Sequence, residues 1–362
     1  MRVLVLNCGS SSIKYVLVDV ATGEKAARGV LEEVADHRAS LHDLVDDLAD
    51  ERVDAVGHRV VHGGEEFTEP TLVDDHVVDV LEDLVPLAPL HNPANISGIR
   101  AARAAWPHIP QVAVFDTAFH RTLPAAAFRY AVPTAWYTDH GVRRYGFHGT
   151  SHAYVARAAA AVLGRPIDEL NLITAHLGNG ASVAAIAGGR SVDTSMGLSP
   201  LEGLVMGTRS GDIDPAVVTH VARAQGRDPL DVIDDLTRQS GLRGLCGDSD
   251  MRTITERSDA GDHDATLAME VFAHRVKKYL GAYLAVLGGC DALVFTGGIG
   301  EHNSRVRAAT CSGLERLGIV LDPVRNDATE SVVSTDESST AILVVPTDEE
   351  HEIAEQTAVV VG

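Results

Sequence analysis

The residues best suited to chemistry lie between Tyr145 and Glu202 and in the loop that follows. Two histidine-containing motifs, Tyr145–His152 and His176–Ser182, precede an arginine in the sequence Gly207–Asp212. Imidazoles, a guanidinium and glycine-rich turns can together hold an anionic phosphoryl group while charge moves across it. This stretch therefore predicts phosphoryl transfer.

Each of these side chains also has a purely structural explanation. His148, His152 and His176 could be satisfied structural histidines, because no Cys accompanies them and no HExxH spacing for zinc occurs. Arg59 and Arg209 stand beside glycines and polar residues. An arginine there can pair bidentately with a carboxylate or phosphate, or it can form an ordinary surface ion pair.

A polar turn, Asn7–Ser12, separates predicted strands at Arg2–Leu6 and Ile13–Val20, and Lys14 lies just beyond it. The backbone N–H groups and hydroxyls of such a hairpin can grip a phosphate, although a hairpin needs Gly and Ser for its geometry in any case. The chain has no G-x-x-x-x-G-K-[ST] sequence, which argues against a P-loop.

Further candidates follow predicted strands. Asp116 ends the strand Gln111–Phe115, and ligands of open α/β sheets collect at such ends, although a helix cap would also explain it. Glu349 is either a ligand or one acid of an acidic turn. The loops Gly178–Gly180 and Gly297–Gly300 allow a nucleotide to approach the backbone, but neither matches the dinucleotide fingerprint G-x-G-x-x-G.

Strands that alternate with helices along the chain predict a mixed α/β architecture. A second hairpin, Ser182–Ala187 with Arg190–Asp193, repeats the N-terminal arrangement and indicates duplicated domains. We expect an irregular connection over Thr117–Arg144 and a helix from about Ser304 to Leu317.

Length and charge limit the classes of function. A chain of 362 residues suggests two domains. The formal net charge of -21, from 51 acidic residues against 30 Lys and Arg, argues against nucleic acid or an anionic membrane as the main partner. Four scattered cysteines without metal spacing, no signal peptide and no long apolar run predict a cytoplasmic protein.

Taken in order along the whole chain, the motifs resemble those of acetate kinase. The matching sequences are Asn7–Lys14, Gly57–Gly64, Val114–His120, Tyr145–His152, His176–Ser182, Ser199–Leu204, Met206–Asp214 and Phe295–Glu301. The resemblance implies an ATP:acetate phosphotransferase that uses acetate or acetyl phosphate with ATP or ADP, and a homodimer.

The resemblance also implies the fold. It predicts an α/β protein of two ribonuclease-H-like, actin-like ATPase domains, with mixed sheets flanked by helices and the active site in the cleft between the domains. The first domain would comprise residues 1–118 and 350–362. The second, residues 119–349, would bind the nucleotide and form the dimer.

Roles for individual positions follow from the same resemblance. The implied catalytic residues are Asp116, His148, Arg209 and Arg59. The implied acetate site comprises Arg59 and the apolar residues Val61, Leu90, Phe147 and Pro200. The implied nucleotide site comprises Lys14, Ser10, Ser12, His176, Leu177, Gly178, Asn179, Gly180, Asp250, Met251, Arg252, Gly298, Ile299, Gly300, Glu301 and His302. Asn7 and Glu349 would hold Mg²⁺, with Mn²⁺ as a substitute.

Two departures from the family and two rival functions remain. His302 stands where the family commonly has Asn, with Asn303 following, and the chain is short between Val20 and Ala55. A propionate or butyrate kinase is the closest rival, since a methylene or two in an apolar pocket is weakly readable from sequence. A non-catalytic ATP-driven sensor is the other, and His148 with Arg209 argues against it.

Overall fold

A computed structural model describes residues 1–9, 12–32, 37–48 and 51–362. These residues separate into two units. Unit 1 comprises Met1–Arg121, Phe147–Tyr154 and Asp348–Gly362, and unit 2 comprises Thr122–Gly146 and Val155–Thr347.

Unit 1 contains a mixed sheet of six strands in the order β3-β2-β1-β4-β6-β5. The strands are β1 (Arg2–Cys8), β2 (Ser12–Asp19), β3 (Lys25–Glu32), β4 (Ala55–Val60), β5 (Thr71–Leu72) and β6 (Gln111–Phe115). The chain runs antiparallel through β1, β2 and β3, whereas β1, β4 and β6 are parallel neighbours and β5 pairs antiparallel with β6. The parallel strands therefore end at one edge of the sheet.

Both faces of this sheet are covered. Successive side chains of a strand point to opposite faces, so neighbouring residues of β1 belong to different core clusters. Leu4 and Leu6 belong to a core cluster with Leu41 of the helix His37–Asp47. Val3 and Val5 belong to another cluster, with Ile353. The helices and 3₁₀ turns with residues in this unit are His37–Asp47, Asp75–Asp83, Val85–Leu87, Asn92–Ala105, Ala118–Thr122, Gly149–Leu163 up to Tyr154, and Glu349–Val361.

Unit 2 contains a five-stranded sheet in the order β11-β10-β7-β8-β9. Its strands are β7 (Asn171–Leu177), β8 (Ala181–Ala187), β9 (Arg190–Thr194), β10 (Ala292–Thr296) and β11 (Ala341–Val344). Here too the first three strands in sequence are antiparallel neighbours, and the next two are parallel to the first. The plan matches β1, β2, β3, β4 and β6 of unit 1.

The long helix His263–Leu287 supplies much of the core of unit 2. Its buried residues recur at helical spacing, as in Ala265, Phe272, Val276 and Leu280. The other helices and 3₁₀ turns of unit 2 are Ala125–Phe128, Thr134–His140, the rest of Gly149–Leu163, Ile167–Glu169, Ala216–Gln225, Pro229–Arg238, Gly241–Cys246, Met251–Asp259, Gly297–His302, Ser304–Cys311, Glu315–Leu317 and Pro323–Asp327. In the described parts of the chain, no helix combines the length and apolar composition needed to span a bilayer.

The mixed α/β architecture is confirmed, but several local expectations were wrong. The segment Thr117–Arg144 contains short helices rather than only irregular chain. The helix expected to reach Leu317 ends at Cys311, because Ser312 leaves the helical conformation and Gly313 adopts φ +80°. The glycine-rich run from Gly297, expected as a loop, begins a helix.

Candidate functional site

In unit 1 a partly buried ion pair joins the ends of two neighbouring parallel strands. Val60 of β4 pairs with Phe115 of β6, and the Asp116 backbone N–H donates to the Val60 carbonyl at 3.0 Å. Arg59 therefore lies beside Asp116, to which its Nε and Nη2 donate hydrogen bonds of 2.9 and 2.8 Å. The sequence expectation that Asp116 lies at a strand end is confirmed.

The charges of this pair depend on each other. Asp116 is only 2% exposed. Burial raises the pKa of its carboxyl group, and the Arg59 guanidinium opposes that shift. The Asp116 carboxylate in turn raises the pKa of Arg59, so the guanidinium stays charged. Because Asp116 binds the Nε and Nη2 edge, the Nη1 end of Arg59 is directed away from it.

Glu349 is a third charged residue at this place. It begins the helix Glu349–Val361, and its Oε2 lies 4.0 Å from Nε of Arg59. Thr150 Oγ1 donates to the same carboxylate oxygen at 3.2 Å. Thr150 was not among the predicted site residues, although its position directly after the His148-Gly149 motif was a usable signal.

His148 has an unusual backbone conformation next to the ion pair. Its φ is +58°, which non-glycine residues adopt rarely and often at functional sites. The Gly149 N–H donates to the Asp116 carbonyl at 2.9 Å, and a Cβ at Gly149 would overlap that oxygen. On the other side, His120 Nε2 donates to the Phe147 carbonyl at 3.0 Å. The backbone around His148 is therefore fixed beside Asp116.

The N-terminal hairpin of unit 1 carries the predicted phosphate-binding residues. Asn7 of β1 pairs with Lys14 of β2, and Lys14 is exposed. The Gly9 N–H donates to the Ser12 carbonyl at 2.8 Å, which closes the turn. Ser10, also predicted to bind phosphate, lies outside the described residues.

Asn95 ties this hairpin to the strand that carries Arg59. Its side-chain nitrogen donates to the Cys8 carbonyl at 2.8 Å, and its Oδ1 accepts from the Val61 N–H at 3.1 Å. The ends of β1 and β4 are thereby bridged through a buried amide. Val61, one of the predicted apolar residues, is held by this bond.

The four residues predicted to contact the acetate methyl group differ in environment. Val61, Leu90 and Phe147 belong to unit 1, and Pro200 belongs to unit 2. Leu90 is 54% exposed, whereas Phe147 is 2% exposed and packs edge-on against the His62 ring at 5.6 Å between centroids. The side chain of Phe147 therefore acts as part of the core in this structure.

In unit 2, Arg209 is held by backbone carbonyl and N–H groups. Its Nη1 donates to the Pro200 carbonyl at 2.6 Å, and its own carbonyl accepts from the Met206 N–H at 3.1 Å. Loss of hydration lowers the pKa of Arg209 from its ordinary value. An arginine remains charged under such a shift, so this side chain presents a partly dehydrated cation.

Three of the predicted nucleotide segments meet in unit 2 around a pocket of about 480 Å³. Its lining residues are Gly178, Asn179, Ser249, Asp250, Met251, Arg252, Gly298, Ile299, His302 and Asn303. Ser249 and Asn303 were not predicted, but each adjoins a predicted segment. Of the remaining predicted positions, Leu177 is fully buried and His176 is 9% exposed, so their side chains offer little surface.

The glycine-rich wall of this pocket is fixed by Glu301 and Arg307. Oε1 of Glu301 accepts from the Gly297 N–H at 2.8 Å and from the Thr347 N–H at 3.1 Å. The fully buried Arg307 donates through Nη1 to the carbonyls of Gly300 and Glu301, at 2.9 and 2.8 Å. Glu301 thus caps the helix Gly297–His302, and both ends of that short helix are satisfied.

The opposite wall of the pocket is formed by the N-terminal ends of two helices. Asp250 caps the helix Met251–Asp259 by accepting from the Arg252 N–H at 2.9 Å. Arg252 Nη2 also donates to Asp250 at 2.6 Å, and this pairing lowers the pKa of Asp250 to about 2. Asn303 caps the helix Ser304–Cys311 and donates to Thr255 Oγ1 at 2.9 Å. Asn303 therefore joins two helices at the pocket.

The donor set fits magnesium better than zinc or another transition metal. Among the residues that the structure describes, no group of three or more His, Cys, Asp and Glu could hold a metal ion. Mg²⁺ does not need such a group, because it keeps several waters and uses one or two protein oxygens together with substrate phosphates. The amide of Asn7 and the carboxylate of Glu349 supply oxygens of that kind.

Comparison with known proteins gives full-length similarities. The sequence matches the Acetokinase family over residues 2–47 and 33–355. A protein of Streptomyces avermitilis described as acetate kinase is 53% identical, with 100% of this chain and 98% of that protein covered. The crystal structure of Porphyromonas gingivalis acetate kinase has a TM-score of 0.96 at 42% identity, with both chains covered completely. A propionate kinase structure from Francisella tularensis subsp. tularensis has a TM-score of 0.95 at 41% identity over 99% of both chains.

Proposed function

The chain belongs to the acetokinase family, and we propose that it transfers the γ-phosphoryl group of ATP to acetate, giving acetyl phosphate and ADP, and catalyses the reverse reaction. The observation that carries this proposal is the 53% identity to an acetate kinase over the whole chain. The arrangement of charged residues in unit 1 and the pocket of unit 2 supply groups that suit the two substrates.

The transfer is a direct in-line displacement. A carboxylate oxygen of acetate attacks the γ-phosphorus, and the bond from that phosphorus to the β–γ bridging oxygen breaks, so that the electron pair leaves with ADP. Acetate is already ionised near neutral pH, and no protein base is needed to create the nucleophile. No proton has to move in this step.

The main difficulty is repulsion between a carboxylate and a polyanion, and the cationic residues offset it. Arg59, oriented by its two bonds to Asp116, binds acetate and the transferring group. Arg209, His148 and Lys14 stabilise the charge on the equatorial and terminal phosphate oxygens. Asp116 acts as the anchor of Arg59 and not as a base.

The remaining roles concern the metal and the nucleotide. Asn7 and Glu349 would hold Mg²⁺, which when bound would neutralise charge on the phosphates of ATP. Thr150 orients Glu349 through its 3.2 Å hydrogen bond. The pocket lined by Gly178, Asp250 and Gly298 binds the nucleoside part of ATP.

We also propose that the protein is a homodimer associated through unit 2. Support comes from apolar side chains that this unit exposes on two of its helices. Leu230 is 71% exposed, Leu267 50% and Val286 53%. A dimer interface that covered such side chains would remove their apolar surface from water. Sedimentation equilibrium that gives the mass of a monomer at micromolar concentration would contradict this assembly.

A hydroxamate assay for acyl phosphate with acetate, propionate and butyrate tests the function. We expect the highest kcat/KM with acetate, and a decrease of about tenfold or more for each added methylene that the pocket must accommodate. A higher kcat/KM with propionate would make propionate the preferred acceptor and the chain a propionate kinase. If no acceptor yields an acyl phosphate, the proposed function is wrong.

A further inference from the structure

A polar clamp in unit 2 holds the segment that precedes Arg209. At its centre, the carboxylate of Glu202 accepts from Arg144 Nη2 at 2.6 Å and from the Tyr130 hydroxyl. The Tyr130 oxygen also accepts from the Leu198 N–H at 2.9 Å. We call Tyr130, Arg144 and Glu202 the Glu202 clamp. Its members are distant in sequence, because Tyr130 lies 72 positions and Arg144 58 positions before Glu202.

The clamp is attached to the sheet of unit 2. Arg144 Nη1 donates to the carbonyls of Thr194, Ser195 and Met196, at 2.9, 3.1 and 2.9 Å. Thr194 is the last residue of β9, so the guanidinium is fixed at a strand end. The rigid strand therefore determines where the Glu202 carboxylate lies.

The Glu202 clamp is packed tightly against the backbone at Gly197. A Cβ at Gly197 would overlap both the Glu202 carboxylate and the Tyr130 hydroxyl. The Gly197 carbonyl accepts from the Tyr145 N–H at 3.0 Å, which fixes this backbone independently of the clamp. The Glu202 carboxylate lies close to the Gly197 backbone and accepts from two side-chain donors, Tyr130 and Arg144. Few other residue types could maintain this arrangement.

The clamp reaches Arg209 through Pro200. Pro200 precedes Glu202 by two residues, and its carbonyl accepts the 2.6 Å hydrogen bond from Nη1 of Arg209. On the far side of Glu202, the Gly203 N–H donates to Asp212 Oδ1 at 2.8 Å, and the Tyr279 hydroxyl donates to Asp212 Oδ2 at 2.9 Å. The loop that carries the Pro200 carbonyl is thus held by hydrogen bonds at Glu202 and Gly203, immediately after Pro200.

We propose that Glu202 is a positioning residue for the reaction, which sets the direction of the Arg209 guanidinium by fixing the Pro200 carbonyl. This inference rests on the proposed function, in which Arg209 stabilises the transferring phosphoryl group. The side chain of arginine has many rotamers, and its stabilising effect on a transition state depends on the guanidinium being held before the reaction begins. The hydrogen bond from Nη1 of Arg209 to the Pro200 carbonyl supplies that constraint and leaves the other edge of the guanidinium for the substrate.

The test is a double-mutant cycle between Glu202→Gln and Arg209→Ala. Glutamine has nearly the same shape, but one of its two acceptor oxygens becomes a donor, so it cannot accept from both Tyr130 and Arg144. We expect Glu202→Gln alone to lower kcat by about tenfold to a hundredfold, because small misplacement of a catalytic group has effects of that size. The KM for ATP should stay unchanged. In the Arg209→Ala background, Glu202→Gln should have no further effect on kcat.

Two further variants separate positioning from folding. Tyr130→Phe removes one donor and keeps the ring, and it should show a smaller decrease in kcat with the same non-additivity. Asp291→Asn is the matched control. Asp291 also accepts from an arginine Nη atom at 2.6 Å and from a backbone N–H at 2.8 Å in unit 2, but these partners are Arg165 and Asn171. It should leave kcat unchanged.

The outcomes that would overturn the inference are distinct from failure of the proposed function. If Glu202→Gln lowers kcat by the same factor with and without Arg209, the clamp does not act through Arg209. The same conclusion follows if the loss of activity matches the fraction of unfolded protein measured by circular dichroism. If the unmodified protein forms no acyl phosphate from any acceptor, the proposed function has failed first.

Discussion

The corresponding strands of the two units end in chemically different ways. In unit 1, β4 and the residue after β6 present Arg59 and Asp116, two charged side chains that orient each other. In unit 2, the equivalent β10 leads into Gly297 and a short glycine-rich helix that lines a pocket. One strand plan therefore supports two kinds of recognition, one by paired charges and one by the shape of the backbone.

The difference shows how each kind of site is kept in place. The buried charge in unit 1 is held by an opposite charge, so removing Arg59 leaves Asp116 buried without its main partner. The pocket wall of unit 2 is held by groups behind it, such as Glu301 on the Gly297 N–H and Arg307 on the Gly300 carbonyl. We expect mutations in unit 1 to damage both stability and chemistry, and mutations on the pocket surface to damage binding only.

The largest effect is expected from Arg59→Ala. Loss of the guanidinium should lower kcat/KM by about 10³-fold or more, because a partly dehydrated electrostatic stabiliser is removed. It should also destabilise unit 1 by about 3 to 5 kcal/mol, because Asp116 stays buried with its main partner gone. Steady-state kinetics and urea unfolding measure the two effects.

The double variant Arg59→Ala with Asp116→Asn separates these effects. Removing the unpaired carboxylate should restore most of the lost stability but none of the activity. Recovery of activity in the double variant would mean that Arg59 serves only to neutralise Asp116, and the charged site of unit 1 would then be structural.

The next effect is on acid stability, which should differ between the units because of His58. His58 lies in the central strand β4, donates from Nε2 to Gln111 Oε1 at 2.8 Å, and is 2% exposed. Burial lowers its pKa from an ordinary value of 6.5 to about 4. The unfolded chain therefore takes up a proton first as the pH falls, so stability is full above about pH 6.5 and is lost as the pH falls through about 4.

The decrease in unfolding free energy that His58 causes amounts to about 3 kcal/mol, which corresponds to the difference between its pKa values in the unfolded and folded states. His58→Gln should remove it, which is seen as a shallower decrease in unfolding free energy between pH 7 and pH 4 in urea titrations. An unchanged slope in the variant would show that His58 does not cause the acid sensitivity of unit 1.

The smallest effect is expected from Gly298→Leu in unit 2. Gly298 lines the pocket, its φ is not positive, and a Cβ there would meet nothing within 4 Å. The larger side chain should therefore be tolerated by the fold and project into the space for the nucleotide. We expect the KM for ATP to rise by roughly tenfold, with the KM for acetate and the thermal midpoint unchanged. An equal rise in both KM values would contradict the assignment of this pocket to the nucleotide.

Much of the charged site could be predicted from sequence because residue type and strand position coincide there. Asp116 follows a five-residue buried strand, and Arg59 lies near the end of a neighbouring strand. By contrast, the bond from Thr150 to Glu349 joins residues 199 positions apart, and no local pattern predicts such a contact. The same holds for the pairing of Arg144 with Glu202.

The local errors have physical causes of the same kind. Glycine disfavours a helix interior, so the run from Gly297 predicts a loop. It forms a helix because the Glu301 side chain, held by the distant Thr347 N–H, accepts from the Gly297 N–H, and Arg307 of the following helix donates to the carbonyls of Gly300 and Glu301. The strand β3 was missed because its sequence shows no clear alternation of apolar and polar residues, and its place in the sheet depends on pairing with β2.

The proposed phosphoryl transfer requires Arg209 of unit 2 as well as Arg59 of unit 1. The most direct measurement is the single-turnover rate of acetyl phosphate formation by Arg209→Ala with saturating ATP and acetate. We expect this rate to decrease by about 10² to 10³-fold relative to the unmodified protein, with little change in nucleotide affinity. A rate within a factor of about two of the unmodified protein would contradict this role of Arg209, since a group that stabilises the transition state cannot be removed without slowing the transfer.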